Sequence, residues 1–345
     1  MRSFTNALAP FAAASALLGA ATACSSSSAI PPVSPTAAAA SAISAQSDST
    51  ARPAKKKTEK ALLYVADYSD SLIYVFDQTK KASPKPKYTI SNGISAPEGI
   101  TTDPQGDLFV ANFGSNQITI YPPGAKSPTR TVSTGVNGPT DVALDAFGNM
   151  YVSNAPQYGS SGDFINIYSP GANSPSSTWY PPTYARNAQI LGIALVQPTS
   201  NGSSSILAAM NVSTGSSGYS YGDVASCIPQ SSTCLDDGYD FGYVQGITME
   251  QSPSTSNSTS DFLVTDSGIP GFDNVRDYNQ IAQVSMGKTA VPTYLTFNST
   301  GKRLFIASRG SVFEYAYPSM KPVTTYIAQG ETFTGVAAYP SGAYL

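Results

Sequence analysis

From residue 61 onwards, short apolar segments recur at near-regular intervals between polar turns. The block is an apolar strand, a turn, a second apolar strand that closes on Asp or Asn, a third strand and a Pro-rich return. Residues 97–112, PEGITTDPQGDLFVAN, reappear 42 residues later as PTDVALDAFGNMYVSN. A fixed period in that range, built from strand-sized pieces, is the sequence signature of a β-propeller or a related array.

The second element of the block occurs six times, which predicts six blades. Two of the intervals between closing residues are long, 57 and 55 residues. They are too short to hide a further blade of about 40 residues, so we interpret them as loop insertions in blades four and five. The six copies are residues 63–67, 108–112, 150–154, 207–211, 262–266 and 304–308.

The first element recurs as well, and its copies suggest how the two chain ends meet. The copy missing before residue 63 stands at the other end of the chain, at 334–339. We therefore predict an all-β fold, a six-bladed β-propeller with four-stranded blades, whose ring is closed by the C-terminal strand joining the first blade. Closure removes exposed sheet edges. The other copies are residues 98–100, 141–143, 191–194, 245–248 and 293–296.

The third element is rich in β-branched and aromatic residues with partial alternation, as half-buried strands should be. Near-identical turns containing Pro-Gly follow two of its copies, at 121–128 and 168–175, and lead into a short fourth strand such as 129–132. The copies of the third element are residues 71–76, 117–121, 164–168, 281–284 and 312–315.

Composition narrows the possible chemistry. The formal net charge of −3 argues against a nucleic-acid partner, which favours a basic face. The chain contains no histidine, which excludes a Ser-His-Asp triad, a histidine base and the usual histidine-bearing zinc and iron sites. Carboxylate, lysine and tyrosine chemistry remain, as does calcium bound by oxygen ligands.

The first 60 residues differ in character from the repeats. Residues 1–23 begin with Met-Arg and continue as an Ala-rich stretch broken by Pro10, which is typical of a secretory signal rather than a membrane span. Residues 21–24 resemble a bacterial lipobox, although Ala21 stands where leucine is usual. Cys24 is therefore either lipidated, which anchors the protein in the bacterial cell envelope outside the cytoplasm, or the signal is simply cleaved and the protein is secreted.

Residues 24–60 are rich in Ser, Ala and Pro, and they predict a disordered linker between the signal and a propeller spanning residues 61–345. The basic run at 55–57 is either solvated or touches anionic lipid headgroups. If Cys24 carries lipid, Cys227 and Cys234 remain as a pair, which predicts a disulfide in an exported protein. The alternatives are two separate thiols or a zinc site, which would need further ligands.

Residues at the start of each first strand should face one mouth of the central channel. Of these, only Glu98 and Asp141 carry charge. Two carboxylates around one channel would hold calcium or perform acid–base work, or else they would cap turns and bind channel water. The candidate channel residues are Glu98, Thr140, Asp141, Gln245, Thr293 and Thr334.

Two further sets of residues have competing interpretations. The Asp or Asn that closes the second element recurs in five of the six copies, which favours a structural role because a unique site needs residues that differ between blades. Four tyrosines in the blade-four insertion are either packing residues or a recognition surface, since aromatics dominate binding hot spots. These tyrosines are Tyr219, Tyr221, Tyr239 and Tyr243.

The unit at residues 97–112 resembles the NHL repeat and, more broadly, the six-bladed group that includes SMP-30/gluconolactonase-like proteins. Enzymes of that group bind a divalent metal in the channel through Glu, Asn and Asp. The resemblance implies Glu98 as one ligand, with Asn154 or Asn211 and Asp266 as others. The group's tryptophan-bearing motifs are missing, and so is the histidine used by virginiamycin B lyase-like proteins and quinoprotein sugar dehydrogenases. These absences lower the expectation of an enzyme.

Three classes of function follow. The first is an exported, lipid-anchored binding propeller, monomeric and without a firmly predicted cofactor, that presents one face to a protein or glycan. The second is a calcium-dependent lactonase-like hydrolase, in which Glu98 and Asp141 serve as ligands or as acid and base. The third is a purely structural envelope protein. Stabilisation by calcium would distinguish the second from the others.

Overall fold

The computed structural model describes residues 61–79, 84–156, 162–180, 188–196, 205–213, 220–227, 234–236, 241–249, 262–269, 272–277, 283–286, 291–328 and 332–340. All of them belong to the second of two units into which the chain divides, Lys57–Leu345. The predicted signal and linker, including Cys24, lie outside the described residues. Within the described ranges, no helix is long and apolar enough to cross a membrane.

The described part of the chain is almost entirely β-structure, with one short 3-10 turn at Phe113–Ser115. Its strands form six antiparallel sheets of four strands each. The predicted all-β, propeller-type arrangement is therefore confirmed. In every sheet the first strand of the repeat lies at one edge, and we call these six strands the inner strands. They are β4 (Pro97–Thr102), β8 (Pro139–Leu144), β12 (Ala188–Val196), β16 (Val244–Met249), β20 (Pro292–Phe297) and β24 (Phe333–Tyr339).

The other three strands follow outward in each sheet, in the order in which the repeat predicts them. The second strands are β1 (Leu62–Asp67), β5 (Leu108–Asn112), β9 (Met150–Asn154), β13 (Ser205–Ser213), β17 (Phe262–Ile269) and β21 (Arg303–Ser308). The third strands are β2 (Leu72–Asp77), β6 (Gln117–Tyr121), β10 (Phe164–Tyr168), β14 (Ser220–Cys227), β18 (Phe272–Asp277) and β22 (Ser311–Ala316). The fourth strands are β3 (Tyr88–Ile90), β7 (Arg130–Val132), β11 (Ser177–Trp179), β15 (Cys234–Asp236), β19 (Gln283–Ser285) and β23 (Lys321–Ile327).

One sheet unites the two ends of the repeat region. Strand β24 pairs antiparallel with β1, so that Leu62 stands opposite Tyr339 and Val65 opposite Val336. The inner strands also contact one another in the cyclic order β4, β8, β12, β16, β20, β24 and back to β4. Each inner strand therefore has two inner-strand neighbours and a third one opposite.

The core consists of six hydrophobic clusters, each shared by two sheets that follow one another in this order. Phe109 and Ile118 of one sheet, for example, pack with Val142 and Tyr168 of the next. Between the sheets that contain β22 and β1, the rings of Phe76 and Tyr326 meet edge to face with centroids 5.4 Å apart. Alternate residues of each strand face opposite sides of its sheet, so one strand contributes to two clusters.

Two predicted features of the fourth and fifth sheets require correction. Residues 281–284 were expected to form a third strand, but the third strand is β18 at Phe272–Asp277, and Gln283–Ser285 is the fourth. The interval interpreted as a loop insertion in the fourth sheet also contains two strands, β14 and β15. Both errors have one cause: the sequences FDNVRD and SYGDVASC each contain a single apolar β-branched residue among polar ones, whereas β2, β6 and β10 contain two.

Candidate functional site

The threonines at the second position of three inner strands tie neighbouring sheets together. The Oγ1 atoms of Thr140, Thr293 and Thr334 donate to the carbonyl oxygens of Ile190 (2.8 Å), Phe333 (2.9 Å) and Pro97 (2.7 Å), each at the start of the next inner strand. These predicted channel residues are therefore occupied by hydrogen bonds to the backbone, and their role here is to hold the inner strands together.

Counted along the repeat, the third position of the inner strands is glycine in four cases, and in the longer strand β12 this glycine is the fifth residue. At Gly99, Gly192, Gly246 and Gly335, an added Cβ would overlap atoms of the next inner strand. At three of them the overlapped atom is a backbone carbonyl oxygen, while at Gly99 it is Oδ1 of Asp141. The inner strands thus approach so closely at this level that four of them have no room for a side chain.

Asp141 occupies the third position of β8, and both of its carboxylate oxygens accept backbone hydrogen bonds. Oδ1 accepts from the N–H of Val142 (2.8 Å), and Oδ2 accepts from the N–H of Ile193 in β12 (2.9 Å). Burial raises the pKa of Asp141 to about 7, its two backbone hydrogen bonds oppose that rise, and the charge of Glu98 adds to it. Asp141 is therefore a buried link between β8 and β12.

Tyr294 occupies the third position of β20, three strands away from β8 in the cyclic order. Its hydroxyl lies 2.8 Å from the carbonyl oxygen of Thr140 and 2.6 Å from that of Leu191. The side chain of Tyr294 therefore spans the channel, and its hydroxyl contacts β8 and β12, the two inner strands on the far side. Sequence reasoning did not select Tyr294 as a site residue, although a signal existed: tyrosine stands where four of the other copies have glycine.

Above this level, three partly exposed aromatic residues lie around Glu98, and we call Tyr68, Glu98, Phe113 and Tyr243 the acidic mouth. Glu98 is only 7% exposed. Burial raises the pKa of both Tyr68 and Tyr243, and the Glu98 charge raises each further, so this carboxylate lies within electrostatic reach of both hydroxyls. The rings of Tyr68 and Phe113 have centroids 6.4 Å apart and are tilted by 45°.

The residues implied as partners of Glu98 in a divalent metal site accept hydrogen bonds from backbone N–H groups of other segments. Oδ1 of Asn154 accepts from the N–H of Asn137, Oδ1 of Asn211 from Val244, and Oδ1 of Asp266 from Gly242 and Tyr243. Within the described ranges, no group of three or more Cys, Asp or Glu residues stands close enough to hold a metal ion. The oxygens that the resemblance implies as further ligands therefore already accept backbone hydrogen bonds.

These contacts also explain why Asp or Asn closes the second element. Asn112 follows the same rule, since its Oδ1 accepts from the N–H of Ser95 just before β4, at 2.9 Å. The side chain thus fixes the segment that leads into an inner strand. Asp67 accepts, in addition, a hydrogen bond within its own turn, from the N–H of Asp70 at 3.1 Å. A structural role for this recurring position agrees with all of these contacts.

The other predicted sites have different outcomes. Cys227 and Cys234 are directly opposite each other in the backbone register of β14 and β15; their side chains lie outside the described residues, so the disulfide stays a prediction. Tyr221 belongs to β14 and is partly buried against the core rather than in an insertion. Tyr243 lies in the acidic mouth, whereas Tyr219 and Tyr239 fall outside the described ranges.

The four-stranded sheets, each with the first strand of the repeat at one edge, have the arrangement of a β-propeller. In comparison with protein families, residues 56–156 match the model described as the SMP-30/Gluconolactonase/LRE-like region, which confirms the resemblance. No curated protein matches the chain. A functionally unknown protein from Desulfotomaculum acetoxidans DSM 771, of known crystal structure, aligns with 79% of this chain and 83% of its own at 14% identity and a TM-score of 0.46.

Proposed function

We propose that this chain is an exported, lipid-anchored binding module. In this proposal the six sheets are the blades of one ring that β24 closes, Cys24 carries the lipid, and a disulfide joins Cys227 to Cys234. The acidic mouth presents its aromatic rings to a protein or glycan ligand. The observation that carries the proposal is the filled level below the mouth, where Tyr294 and Asp141 already have backbone partners.

A lactonase-like hydrolase is the second candidate, favoured by the match of residues 56–156 to the SMP-30/Gluconolactonase/LRE-like region, which includes Glu98 and Asp141. Such an enzyme needs a polarising group and an accessible carboxylate close to a bound ester. Both oxygens of Asp141 accept backbone N–H groups, and a carboxylate held in this way is a poor ligand or base. The side-chain contacts therefore favour binding over hydrolysis.

The first experiment is thermal unfolding of the full chain with calcium and with EDTA, together with a panel of lactones. We expect no change in melting temperature and no hydrolysis. A calcium-dependent rise that Glu98→Gln abolishes, accompanied by lactone hydrolysis, would replace the binding proposal with the enzymatic one.

The binding proposal is tested by capture of envelope proteins and by glycan arrays. Phe113→Ala should weaken capture because aromatic anchors dominate binding energy. Phe147→Ala is the matched control: Phe147 is 60% exposed, and it lies in the turn between β8 and β9, at the opposite end of the inner strands from the mouth. Equal loss in both variants would contradict the assignment of the ligand to the acidic mouth.

A further inference from the structure

Three aromatic residues are anchored at the starts of three different inner strands. The N–H of Tyr68 donates to the carbonyl of Thr332 just before β24, at 3.0 Å, and the N–H of Phe113 donates to that of Ala96 just before β4, at 3.2 Å. Tyr243 itself directly precedes β16, and its N–H donates to Asp266. Because inner strands run in the same direction from the mouth, the three rings belong to one face.

The charge of this face is negative. Glu98 is buried, at 7% exposure, and its charge is felt at the neighbouring carboxyl group of Asp141. A buried carboxylate loses most of its hydration, and its field is screened less than that of a surface group. An anionic ligand would be repelled here, whereas a cationic one would gain from the same field.

A hydrogen-bond acceptor stands at the equivalent position across the ring. Gln245 occupies the second position of β16, as Glu98 does in β4, and β16 lies three strands from β4 in the cyclic order. Its Oε1 atom is shielded from solvent and has no hydrogen-bond partner in the described part of the chain. A buried acceptor without a donor costs free energy, and a ligand that donates N–H groups would remove that cost.

We propose that the acidic mouth binds an alkylammonium group, such as the side chain of a lysine or a free primary amine. This inference rests on the proposed binding function and specifies its ligand chemistry. The faces of aromatic rings attract cations, most strongly when the cation is desolvated. Tyr68, Phe113 and Tyr243 supply such faces, and Glu98 supplies the opposite charge. The primary ammonium adds three N–H donors.

The test is calorimetric titration of the full chain with n-butylammonium chloride and, separately, with butan-1-ol, which has similar shape but no charge. We expect n-butylammonium to bind about tenfold or more tightly than butan-1-ol, since one desolvated cation–π contact alone has that magnitude. Equal affinity for the two probes would overturn the proposal. A short blocked peptide containing one lysine separates the two sources: tighter binding than n-butylammonium indicates a protein side chain, and weaker binding a free amine.

Variants of the mouth residues test where n-butylammonium binds. Glu98→Gln, which keeps the shape, and Phe113→Leu, which keeps apolar bulk, should each lower the affinity for n-butylammonium severalfold. The matched control is Asp107→Asn, because Asp107 is partly exposed in the β4–β5 turn, at the opposite end of the inner strands from the mouth, and its replacement removes the same charge there. Unchanged affinity in both mouth variants, with circular dichroism showing intact folding, would overturn the proposal.

The two proposals can fail separately. If Phe113→Ala abolishes capture of a protein or glycan while n-butylammonium does not bind, the mouth is a binding site and the ammonium assignment is wrong. If n-butylammonium binds and Glu98→Gln removes that binding, the ammonium assignment holds whatever the capture experiment returns.

Discussion

The inner strands accommodate their close approach to one another in two different ways. Four of them have glycine at the third position and approach the next strand so closely that a Cβ would overlap it. The other two have Asp141 and Tyr294, whose polar groups reach backbone atoms of other strands. The two exceptions lie opposite each other in the cyclic order.

This difference distinguishes positions that hold the inner strands together from positions that are able to contact a ligand. At the four glycine positions, the inner strands approach one another closely because no side chain separates them. At the other two positions, buried polar side chains with backbone partners occupy the space between the strands. Neither the glycines nor the hydrogen-bonded side chains of Asp141 and Tyr294 offer a reactive group at the third position. The aromatic residues around Glu98 also differ between the copies of the repeat. Their rings are therefore the better candidates for contact with a ligand.

The largest effect is expected from breaking a glycine position. In Gly335→Ala the new Cβ would overlap the carbonyl oxygen of Glu98 in the next strand. Since backbone atoms cannot move aside cheaply, we expect a loss of about 3 kcal/mol in the free energy of unfolding, measured by urea titration.

Gly124→Ala is the control for this substitution. Gly124 has φ of +78° but no atom within 4 Å of an added Cβ. It should cost only the conformational penalty of about 1 kcal/mol. Similar losses in the two variants would mean that close approach of the inner strands does not limit the third position.

A smaller effect, dependent on pH, is expected from the aspartates that link the third and fourth sheets. Burial raises the pKa of both Asp141 and Asp163 from 3.8 to about 7, and Asp163 accepts from the N–H of Ile190 in β12 at 2.7 Å. Between these pH values the folded state holds protons that the unfolded state has lost. Their stabilising contribution is complete below pH 3.8 and is lost as the pH rises through about 7.

The free energy of unfolding should therefore fall between about pH 5 and about pH 8, by at most about 1.4 kcal/mol per pH unit for each aspartate. The double variant Asp141→Asn, Asp163→Asn removes both titrating groups and keeps one acceptor oxygen at each position, so its pH profile should be flatter over this range. A wild-type profile that rises with pH would contradict the direction of both pKa shifts.

The sequence predicted the fold best where the copies are most regular. Residues 97–112 and 139–154 carry apolar second strands and short turns, and the structure has strands there within two residues of expectation. The fourth and fifth sheets were harder because β14 and β18 are polar and because long connections disturb the period. A strand at such a position forms because its neighbours offer paired backbone groups, and that information is not local in the sequence.

The candidate site was predicted only in part. Glu98 and Asp141 were selected because they carry charge at the right position, but the sequence contains nothing about which oxygen accepts which N–H. The commitment of Asp141 to Ile193 depends on contact between residues 52 positions apart. The aromatic part of the mouth was harder still, since Tyr68 and Phe113 lie in turns whose positions only the assembled ring determines.

The smallest effect is expected from removing the link across the channel. Tyr294→Phe keeps the ring and loses the hydroxyl, which leaves the carbonyls of Thr140 and Leu191 without this donor. We expect a loss of about 1–2 kcal/mol in the free energy of unfolding by urea titration. The control is Tyr168→Phe, because the Tyr168 hydroxyl donates to a single carbonyl, that of Thr134, at 2.8 Å. Its loss should be smaller, because the hydrogen bond from Tyr168 to Thr134 is only partly buried whereas those of Tyr294 are buried. If Tyr168→Phe costs as much as Tyr294→Phe or more, the hydroxyl spanning the channel contributes no more than an ordinary buried tyrosine, and the two exceptional inner strands would differ from the glycine strands in volume alone.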